Sequence, residues 1–383
     1  MGLLGIFFMF RTLYLIVNIY ICYRGFSLFP KKSWLKKIYI IIFALLALPF
    51  MLGRTLRDEV PGALTDFLTI LGSYWFAIIL YLFIAVLFVD ALRITNHFKK
   101  FSPNLFFNNV LKTRRIIAAI IIFIVTITII YGRINANNVI VKTVPITIEK
   151  KAKNLSSLKV LLISDIHLGL MVQNAELSRI VELSNKQEAD IVLLAGDIFD
   201  AKVEPVRTFN ANKLLSTFKS KYGTYAVLGN HEYIGVANEA AEYLTESGIT
   251  VLRDSAMLID NSFYIAGRDD FSSSRKNRKA RLPLEQIITG LDHTKPILLM
   301  DHQPKDLGIV AKCNVDLQVS GHTHGGQMWP FNYIVQLMWE VTSGYAEKDN
   351  TKFYVTKGAG TWGPRIRVGI NPEIVVINID FLK

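Results

Sequence analysis

Four apolar segments occupy most of the first 132 residues and limit what this part of the chain can become. They are Met1–Tyr23, Ile38–Gly53, Phe67–Val89 and Ile116–Gly132. A helix that crosses the hydrocarbon core of a bilayer needs about 20 mostly apolar residues. The third segment has 23 residues without a charged side chain, and the second and fourth reach this length with their flanking residues. We therefore predict a membrane domain over residues 1–132 with about four transmembrane helices.

Arg11 interrupts the first segment and leaves its path through the membrane open. A charged side chain inside a membrane must reach the bilayer surface or pair with another polar group. The segment either crosses completely or remains an uncleaved, signal-like segment.

Positive charge in the N-terminal third is concentrated in two loops. Residues 24–37 contain five Lys and Arg side chains and residues 93–115 contain six, whereas residues 54–66 have two positive and three negative side chains. Short loops rich in Lys and Arg stay on the cytoplasmic side. With both basic loops inside, the domain after the fourth helix faces outward. The sequence thus predicts a multi-pass protein of the cell membrane with an extracytoplasmic C-terminal domain.

The distribution of charge also argues against a nucleic-acid partner. Residues 1–144 contain 16 Lys and Arg against 4 Asp and Glu, whereas residues 145–383 contain 27 of each sign. The formal net charge of +12 therefore comes from the apolar part of the chain. A nucleic-acid-binding domain would need a basic face of its own. We expect no nucleic acid, and we infer no obligate protein partner.

After a polar connector, residues 133–153, short apolar runs alternate with helical patterns. The runs are Lys159–Ile163, Ile191–Ala195, Thr224–Leu228, Ile297–Met300 and Asp316–Val319. Runs of β-branched residues and leucine without alternation are typical of strands buried on both faces. Helical spacing over Asn174–Lys186 and Asn238–Glu246 gives a strand–helix–strand order. Residues 154–383 are therefore predicted to form an α/β domain.

Polar residues cluster directly after these apolar runs and include five of the seven histidines. They lie in Ser164–His167, Gly196–Asp197, Gly229–Glu232, Asp301–Pro304 and Gly321–Gly326. Ligands of open α/β sheets collect at the carboxyl ends of strands. A single histidine there is more often structural, but five of them with two aspartates and one asparagine indicate a metal centre.

The types and the number of these residues indicate the kind of metal centre. In Asp165-x-His167 and His322-x-His324, alternate side chains of an extended chain point to the same side, so each pair is expected to hold one ion. Imidazole and carboxylate without thiolate favour Mn, Fe or Zn. One zinc site needs only three or four such ligands. The surplus predicts two divalent ions.

The order D-x-H, G-D, G-N-H-[D/E], H and G-H-x-H over residues 159–327 resembles the calcineurin-like metallophosphoesterase superfamily. The segment Gly360–Arg365 resembles the bacterial membrane-anchored branch of that superfamily. The resemblance implies an α/β fold in which a sandwich of two β-sheets is flanked by helices. It also implies a dinuclear metal-dependent phosphoric ester hydrolase.

The resemblance further implies a role for each motif residue. One ion would be held by Asp165, His167, Asp197 and His324. The other would be held by Asp197, Asn230, His302 and His322, with Asp197 as the bridge. His231 matches a histidine of the family that is not a ligand and lies near the leaving group, where it can protonate the departing oxygen. Two ions, two carboxylates and a hydroxide leave a charge of about +1, which suits an anionic phosphoester.

Three further features carry weaker signals. Arg365 and Arg367 are expected either to bind a substrate phosphate or to be surface side chains. Asp269 and Asp270 match a position of the family near the site. The basic run Arg275–Arg281 is expected to be a solvated loop, with binding to an anionic membrane or wall polymer as the alternative.

The expected function is hydrolysis of a phosphomonoester, phosphodiester or pyrophosphate at the membrane surface by hydroxide that two ions activate. A lipid-linked or wall-derived substrate fits an enzyme that is confined there by an anchor. Hydrolysis of soluble nucleotides is the alternative among enzymes. A membrane receptor whose metal centre only binds is the alternative outside them, and His231, which is not a ligand in this scheme, argues against it.

Overall fold

The computed structural model describes residues 3–99, 110–153, 155–274 and 280–382. The chain divides into two units, Met1–Gly132 and Arg133–Lys383. The first unit is helical, and the second contains all of the described strands.

Four long helices begin in the first unit. They are α1 (Leu3–Phe26), α2 (Leu35–Glu59), α3 (Ala63–Lys99) and α4 (Val110–Asn135). Among the described residues, three helices are long and apolar enough to cross a membrane, namely Leu35–Gly53 within α2, α3 and α4. A membrane crossing by α1 stays a prediction.

Polar contacts and one close approach join the apolar helices of the first unit. Trp75 Nε1 in α3 donates to Asn18 Oδ1 in α1 at 2.9 Å, and Arg24 in α1 pairs with Asp90 in α3 at 2.5 Å. An unpaired polar group in hydrocarbon would cost several kcal/mol. Helices α2 and α3 come together at Gly72, where an added Cβ would lie 2.4 Å from the Phe50 backbone nitrogen.

The described strands of the second unit form two six-stranded sheets. The strands are β1 (Ile140–Ile148), β2 (Ser157–Ile163), β3 (Ile191–Ala195), β4 (Thr224–Val227), β5 (Thr250–Val251), β6 (Ser255–Ile259), β7 (Phe263–Gly267), β8 (Ile297–Met300), β9 (Leu317–Ser320), β10 (Gly344–Lys348), β11 (Thr351–Val355) and β12 (Glu373–Phe381). The order is β1-β12-β2-β3-β4-β5 in the first sheet and β10-β11-β9-β8-β7-β6 in the second. Strands β2 to β5 are parallel, and so are β7, β8, β9 and β11.

Helices connect these strands, and several of them pack on the outer faces of the sheets. They are α5 (Asn174–Asn185), α6 (Glu204–Thr208), α7 (Asn212–Leu215), α8 (Asn230–Ile234), α9 (Ala237–Glu246), α10 (Leu284–Ile288), α11 (Leu307–Lys312) and α12 (Phe331–Met338). Two 3-10 turns, Phe271–Ser274 and His324–Gly326, lie in the loops after β7 and β9.

Strand β2 shows why the apolar runs do not alternate with polar residues. Val160 and Leu162 belong to the buried cluster between the two sheets. Leu161 and Ile163 point the other way, into the cluster that the first sheet forms with α5 and α9. Successive side chains of a strand face opposite sides, so both faces must be apolar when both are covered. The α/β sandwich of two sheets flanked by helices, as predicted, is confirmed.

The structure also shows strands outside the five apolar runs of the sequence. Strand β1 lies inside the segment for which the sequence predicts a connector, and it pairs in parallel with β12 at the edge of the first sheet. Strand β12, at nine residues, lies between β1 and β2. Apolar and polar residues alternate over Val144–Ile148. This pattern is typical of a strand with one buried and one exposed face.

Candidate metal centre

Five loops carry the residues that the sequence predicts for the metal centre. Each loop follows a parallel strand directly, namely β2, β3 and β4 of the first sheet and β8 and β9 of the second. The carboxyl ends of these strands come together, and their side chains form groups in which the possible donor atoms lie within 4.8 Å of one another.

The first group consists of Asp165, His167 and His324. His167 Nε2 lies 3.0 Å from His324 Nε2, and His324 Nε2 lies 3.3 Å from Asp165 Oδ1. All three side chains are buried. Thus two residues of the β2 loop meet one residue of the β9 loop from the other sheet.

The second group consists of Asp197, His302 and His322. His302 Nε2 lies 3.2 Å from Asp197 Oδ2, and the rings of His302 and His322 are 5.2 Å apart. The same oxygen, Asp197 Oδ2, lies 3.8 Å from His167 Nε2 of the first group. Asp197 therefore lies between the two groups.

Asn230, the first residue of α8, contributes a further oxygen. Its Oδ1 is buried and has no hydrogen-bond partner in the part of the chain that the structure describes. Leaving a buried polar atom without a partner costs about 1–3 kcal/mol, so native proteins rarely do it without a reason. A metal ion would satisfy this oxygen.

The donor atoms fit divalent cations. Two donors bound to one ion at about 2.1 Å lie about 3.0–3.4 Å apart when they subtend 90–109° at it. The separations of 3.0, 3.3 and 3.2 Å fall in this range. Burial lowers the pKa of His167 and of His322 to about 3. Both imidazoles are therefore neutral at neutral pH, the form that binds a metal.

Burial and neighbouring carboxylates act in opposite directions on His302. Burial alone would lower its pKa, but the charges of Asp197 and Asp165 raise the pKa well above its ordinary value. Its Nδ1 lies 2.8 Å from the Ala195 carbonyl oxygen, which fixes the ring and directs Nε2 to Asp197.

The backbone around the ligands departs from the extended chain expected from the sequence. The φ angle is 55° at Asp165 and at His167, 74° at His322 and 49° at His324. The expectation that each i, i+2 pair lies on one side of an extended chain is therefore wrong, and His322 and His324 lie in different groups. Non-glycine residues in this region cost about 1–3 kcal/mol and cluster at functional sites.

Two glycines make room for the carboxylates of Asp165 and Asp197. A Cβ at Gly321 would lie 2.3 Å from Asp165 Oδ2, and a Cβ at Gly229 would lie 2.2 Å from Asp197 Oδ1. Cβ atoms do not approach other atoms this closely, so any side chain at either position would displace the neighbouring carboxylate.

Glu232 positions the loops on either side of Asp197. It is fully buried and accepts hydrogen bonds from the backbone N–H groups of Gly229 at 2.7 Å, Phe199 at 2.8 Å and Asp197 at 3.1 Å. Burial, together with the charge of Asp197, raises the pKa of Glu232 to about 7. The sequence motif contains Glu232 but does not reveal this role.

His231 lies beside the two groups and faces a partner that sequence reasoning missed. Its Nδ1 is 2.9 Å from Asp200 Oδ1, and its backbone N–H donates to Asp197 Oδ1 at 2.8 Å. The rings of His231 and His167 are 4.5 Å apart. His167, Asp200 and His231 also satisfy the distances of a metal-binding group. The signal for Asp200 was its position three residues after Asp197, on the same loop.

Arg367 has a different role from the expected contact with substrate. Its guanidinium is fully buried and donates to the carbonyl oxygens of Gly360 at 2.6 Å and Lys357 at 2.8 Å. Its Nη2 also lies 3.2 Å from His324 Nδ1. Arg367 thus holds the ring of His324 from behind. Arg365 is nearly buried, and it pairs with Glu176 and donates to Asn137.

The acidic and basic residues with weaker sequence signals form hydrogen bonds and ion pairs near the metal centre. Asp270 is buried and accepts from Gln303 Nε2 at 2.7 Å, beside His302, whereas Asp269 pairs with Arg253 at 3.0 Å. Of the basic run, residues 275–279 lie outside the described residues. Arg281 is not a solvated side chain, because it pairs with the buried Asp301 at 3.0 Å.

Comparison with known proteins agrees with this geometry. A model of the calcineurin-like phosphoesterase family matches residues 158–326, which include all five loops. An uncharacterized metallophosphoesterase of Campylobacter jejuni is 33% identical over 272 residues, covering 70% of this chain and 71% of that protein. The chain belongs to the calcineurin-like phosphoesterase family.

Other relatives of this metallophosphoesterase include membrane proteins. An uncharacterized metallophosphoesterase of Aquifex aeolicus is 30% identical over 259 residues, covering 67% of this chain and 98% of that protein. A transmembrane protein with metallophosphoesterase domain from Danio rerio is 32% identical over 272 residues, covering 67% of this chain and 61% of that protein. Uncharacterized metallophosphoesterases from two Helicobacter pylori strains are each 32% identical to this chain over 241 residues, which cover 63% of each relative. These relatives and the apolar helices support a membrane-associated phosphoesterase.

The shared position of Asp197 gives a testable prediction about metal content. Because its Oδ2 lies near donors of both groups, Asp197→Ala should lower the bound metal content toward zero. Asp165→Ala, which affects one group, should lose less. Metal content is measured by elemental analysis of purified protein, with circular dichroism to confirm folding.

Asp349→Ala, at an exposed turn, is the matched control and should keep its metal. If Asp197→Ala retains as much metal as this control, Asp197 does not bridge the two groups.

Proposed function

We propose that this metallophosphoesterase hydrolyses a phosphoester at a membrane surface with two divalent ions as cofactors. The observation that carries the proposal is the position of Asp197 Oδ2, 3.2 Å from His302 Nε2 and 3.8 Å from His167 Nε2. A carboxylate shared by two groups of donors suits a pair of ions held close together. Such pairs are typical of enzymes that hydrolyse phosphoesters.

The ligand sets of the proposal follow the two groups of donors. Asp165, His167, Asp197 and His324 would hold one ion. Asp197, Asn230, His302 and His322 would hold the other. Imidazole and oxygen donors suit Mn, Fe or Zn. When bound, a pair of such ions lowers the pKa of water and stabilises charge on phosphoryl oxygens.

His231 would give a proton to the leaving oxygen. Asp200 holds the ring by facing Nδ1 at 2.9 Å, so Nε2 is the ring atom that can transfer a proton. The backbone N–H of His231 donates to Asp197 Oδ1, which fixes the base of the side chain against the centre. This arrangement resembles other pairs in which a carboxylate orients a histidine for acid–base work.

Two alternatives make different demands on the same residues. Hydrolysis of soluble nucleotides would use the same centre, so it differs from the proposal only in the substrate. A receptor that only binds metal has no use for an oriented proton donor, and the His231–Asp200 pair therefore favours the enzyme. The lipid-linked or wall-derived substrate follows from the membrane helices rather than from the metal centre.

Turnover of a generic substrate tests the proposed activity directly. The purified full chain loaded with manganese should hydrolyse bis(para-nitrophenyl) phosphate, because the ions supply charge stabilisation that water alone lacks. A chelator should abolish the activity, and added manganese should restore it. Asp197→Ala purified in parallel controls for contaminating enzymes. An absence of turnover with Mn, Fe and Zn would contradict the proposal and favour the receptor.

His231→Asn tests the proton transfer to the leaving oxygen separately from the overall activity. A nitrophenolate departs without help, whereas the alkoxide of an alkyl phosphodiester needs a proton. General acid catalysis is worth about 10²–10⁴-fold. We expect the variant to keep its metal and to lose far more kcat on the alkyl diester than on the nitrophenyl ester.

The exposed His293 supplies the matched control, since His293→Asn should alter neither rate. Equal losses of the His231→Asn variant on both esters would remove the acid role. Loss of metal in that variant would instead point to a structural or ligand role of His231, including the group with His167 and Asp200.

The proposed orientation places the catalytic unit outside the cytoplasm, because both basic loops favour the inside. A reporter fused after Lys383 should therefore read as extracytoplasmic. With Cys22 and Cys313 replaced by alanine, Ser216→Cys should react with an impermeant thiol reagent in intact cells, and Lys32→Cys in the first basic loop should not. Labelling of Ser216→Cys only after lysis would reverse the orientation.

A further inference from the structure

Helix α12 and its flanking residues form an uncharged surface next to the metal centre. Residues 327–339 contain no charged side chain, and they are rich in aromatic and long aliphatic side chains. The helix follows the 3-10 turn His324–Gly326 after only four residues. We call the exposed apolar side chains of this segment the α12 surface: Trp329, Tyr333, Ile334, Leu337 and Met338.

The α12 surface is more exposed than its composition would allow in a water-facing helix. No residue of α12 is buried. Leu337 is 89% exposed, Met338 68% and Tyr333 58%. Scattered exposed apolar side chains are ordinary, but a contiguous apolar patch marks a surface that meets a membrane or a partner.

Both ends of α12 are fixed to the metal centre. At its start, a Cβ on Gly326 would lie 2.3 Å from the Asn332 backbone nitrogen, so the helix packs directly on the loop of His324. At its end, the ring of Trp339 lies 5.0 Å from the ring of His322. A molecule that covers the α12 surface therefore lies beside the metal-binding groups.

We propose that the α12 surface inserts into the surface of a lipid bilayer. The connection along the chain supports a bilayer as the occupant, because α4, which is apolar enough to cross a membrane, ends at Asn135 and β1 begins at Ile140. Only four residues lie between them, and the five Cα–Cα steps from Asn135 to Ile140 span at most about 18 Å, so β1 begins close to that membrane. Trp and Tyr together with Leu, Ile and Met are the side chains that bury in the interfacial layer of a bilayer.

A basic side chain borders the uncharged surface. Lys305 is exposed, and its Nζ lies 5.4 Å from the centre of the Trp339 ring. A lysine at the edge of an inserted helix can contact phosphate head groups. A lysine at this edge suits a phospholipid surface, and Glu340 on the other side of Trp339 is paired with Lys348 at 2.9 Å.

The insertion has a consequence for the substrate, which rests on the proposed function. A helix that packs on the loop of His324 at its start, and is followed by Trp339 against His322 at its end, would bring the metal centre to the level of lipid head groups. The substrate class would then be a phosphoester with a long hydrocarbon chain, whose apolar part stays in the bilayer during hydrolysis. A soluble nucleotide would gain nothing from the α12 surface.

Depth-dependent fluorescence of the full chain tests the insertion without using activity. Cys22 and Cys313 are first replaced by alanine, and Leu337→Cys is added to this variant. The protein is labelled at the new cysteine with an environment-sensitive fluorophore and reconstituted into phosphatidylcholine vesicles. We expect blue-shifted emission and several-fold stronger quenching by lipids with a nitroxide on the acyl chain than for Ser216→Cys. Ser216 lies on an exposed polar segment of the same unit and is the matched control.

Equal quenching at the two positions would overturn the insertion. Cross-linking of Leu337→Cys to a second copy, without quenching by lipid, would show that the α12 surface is instead an interface between chains. An added soluble protein could also prevent both the quenching of Leu337→Cys by lipid and its cross-linking to a second copy. That result would overturn the proposal in favour of a protein partner.

A second measurement separates the substrate class from the proposed function. Leu337→Glu combined with Met338→Glu should lower the rate on hexadecyl para-nitrophenyl phosphate in vesicles several-fold relative to the rate on methyl para-nitrophenyl phosphate in solution. Both esters have the same leaving group, so the ratio reports access rather than chemistry. An unchanged ratio would overturn the lipid substrate, whereas a wild-type chain that hydrolyses neither ester would overturn the proposed function and leave the fluorescence result standing.

Discussion

The packing of two sheets face to face is the constraint on which the metal centre depends. Val160 and Leu162 of the first sheet share one buried cluster with Leu298 and Met300 of the second. Because the parallel strands of both sheets end on the same side, loops distant in sequence meet there. His167 and His324 are 157 residues apart in the chain and 3.0 Å apart in space. A change that let one sheet slide over the other would separate the donors without altering any of them.

The centre then depends on buried groups that hold each loop in an unfavourable shape. Aspartate and histidine at positive φ cost about 1–3 kcal/mol each, and buried charges cost more unless they are paired. Glu232 fixes the loop of Asp197 through three backbone N–H groups. Arg367 contacts the carbonyl oxygen and Nδ1 of His324 and ties them to the carbonyl oxygens of Lys357 and Gly360. Each of these side chains is fully buried. Its hydrogen bonds therefore fix the position of Asp197 or of His324 rather than contact a substrate.

The sequence predicts the parts of this structure that follow from local pattern. Strands β3 and β8 have the predicted bounds, since short apolar runs rich in β-branched residues and leucine are typical of strands covered on both faces. The motif residues meet as the order of motifs implies. The rest depends on contacts between distant residues. The position of Asp200 three residues after Asp197 places it on the same loop but does not reveal that it faces His231. Nothing local distinguishes Arg367 from an exposed arginine. Strand β1 exists because β12, more than 220 residues later, offers a parallel edge.

The membrane helices and the place of the metal centre both favour a substrate that is held in a bilayer. A phosphoester attached to a hydrocarbon chain diffuses in two dimensions, so an enzyme in the same bilayer meets it at a far higher effective concentration than a soluble molecule. That gain is lost if the reacting phosphate must leave the head-group layer to reach the ions. The proposed insertion would remove this difficulty, because Leu337 and Met338 would enter the layer from which the phosphate projects while the α12 surface lies beside the loops of His322 and His324. A soluble phosphoesterase with the same centre would have to cover those side chains, since an exposed apolar patch in water favours aggregation.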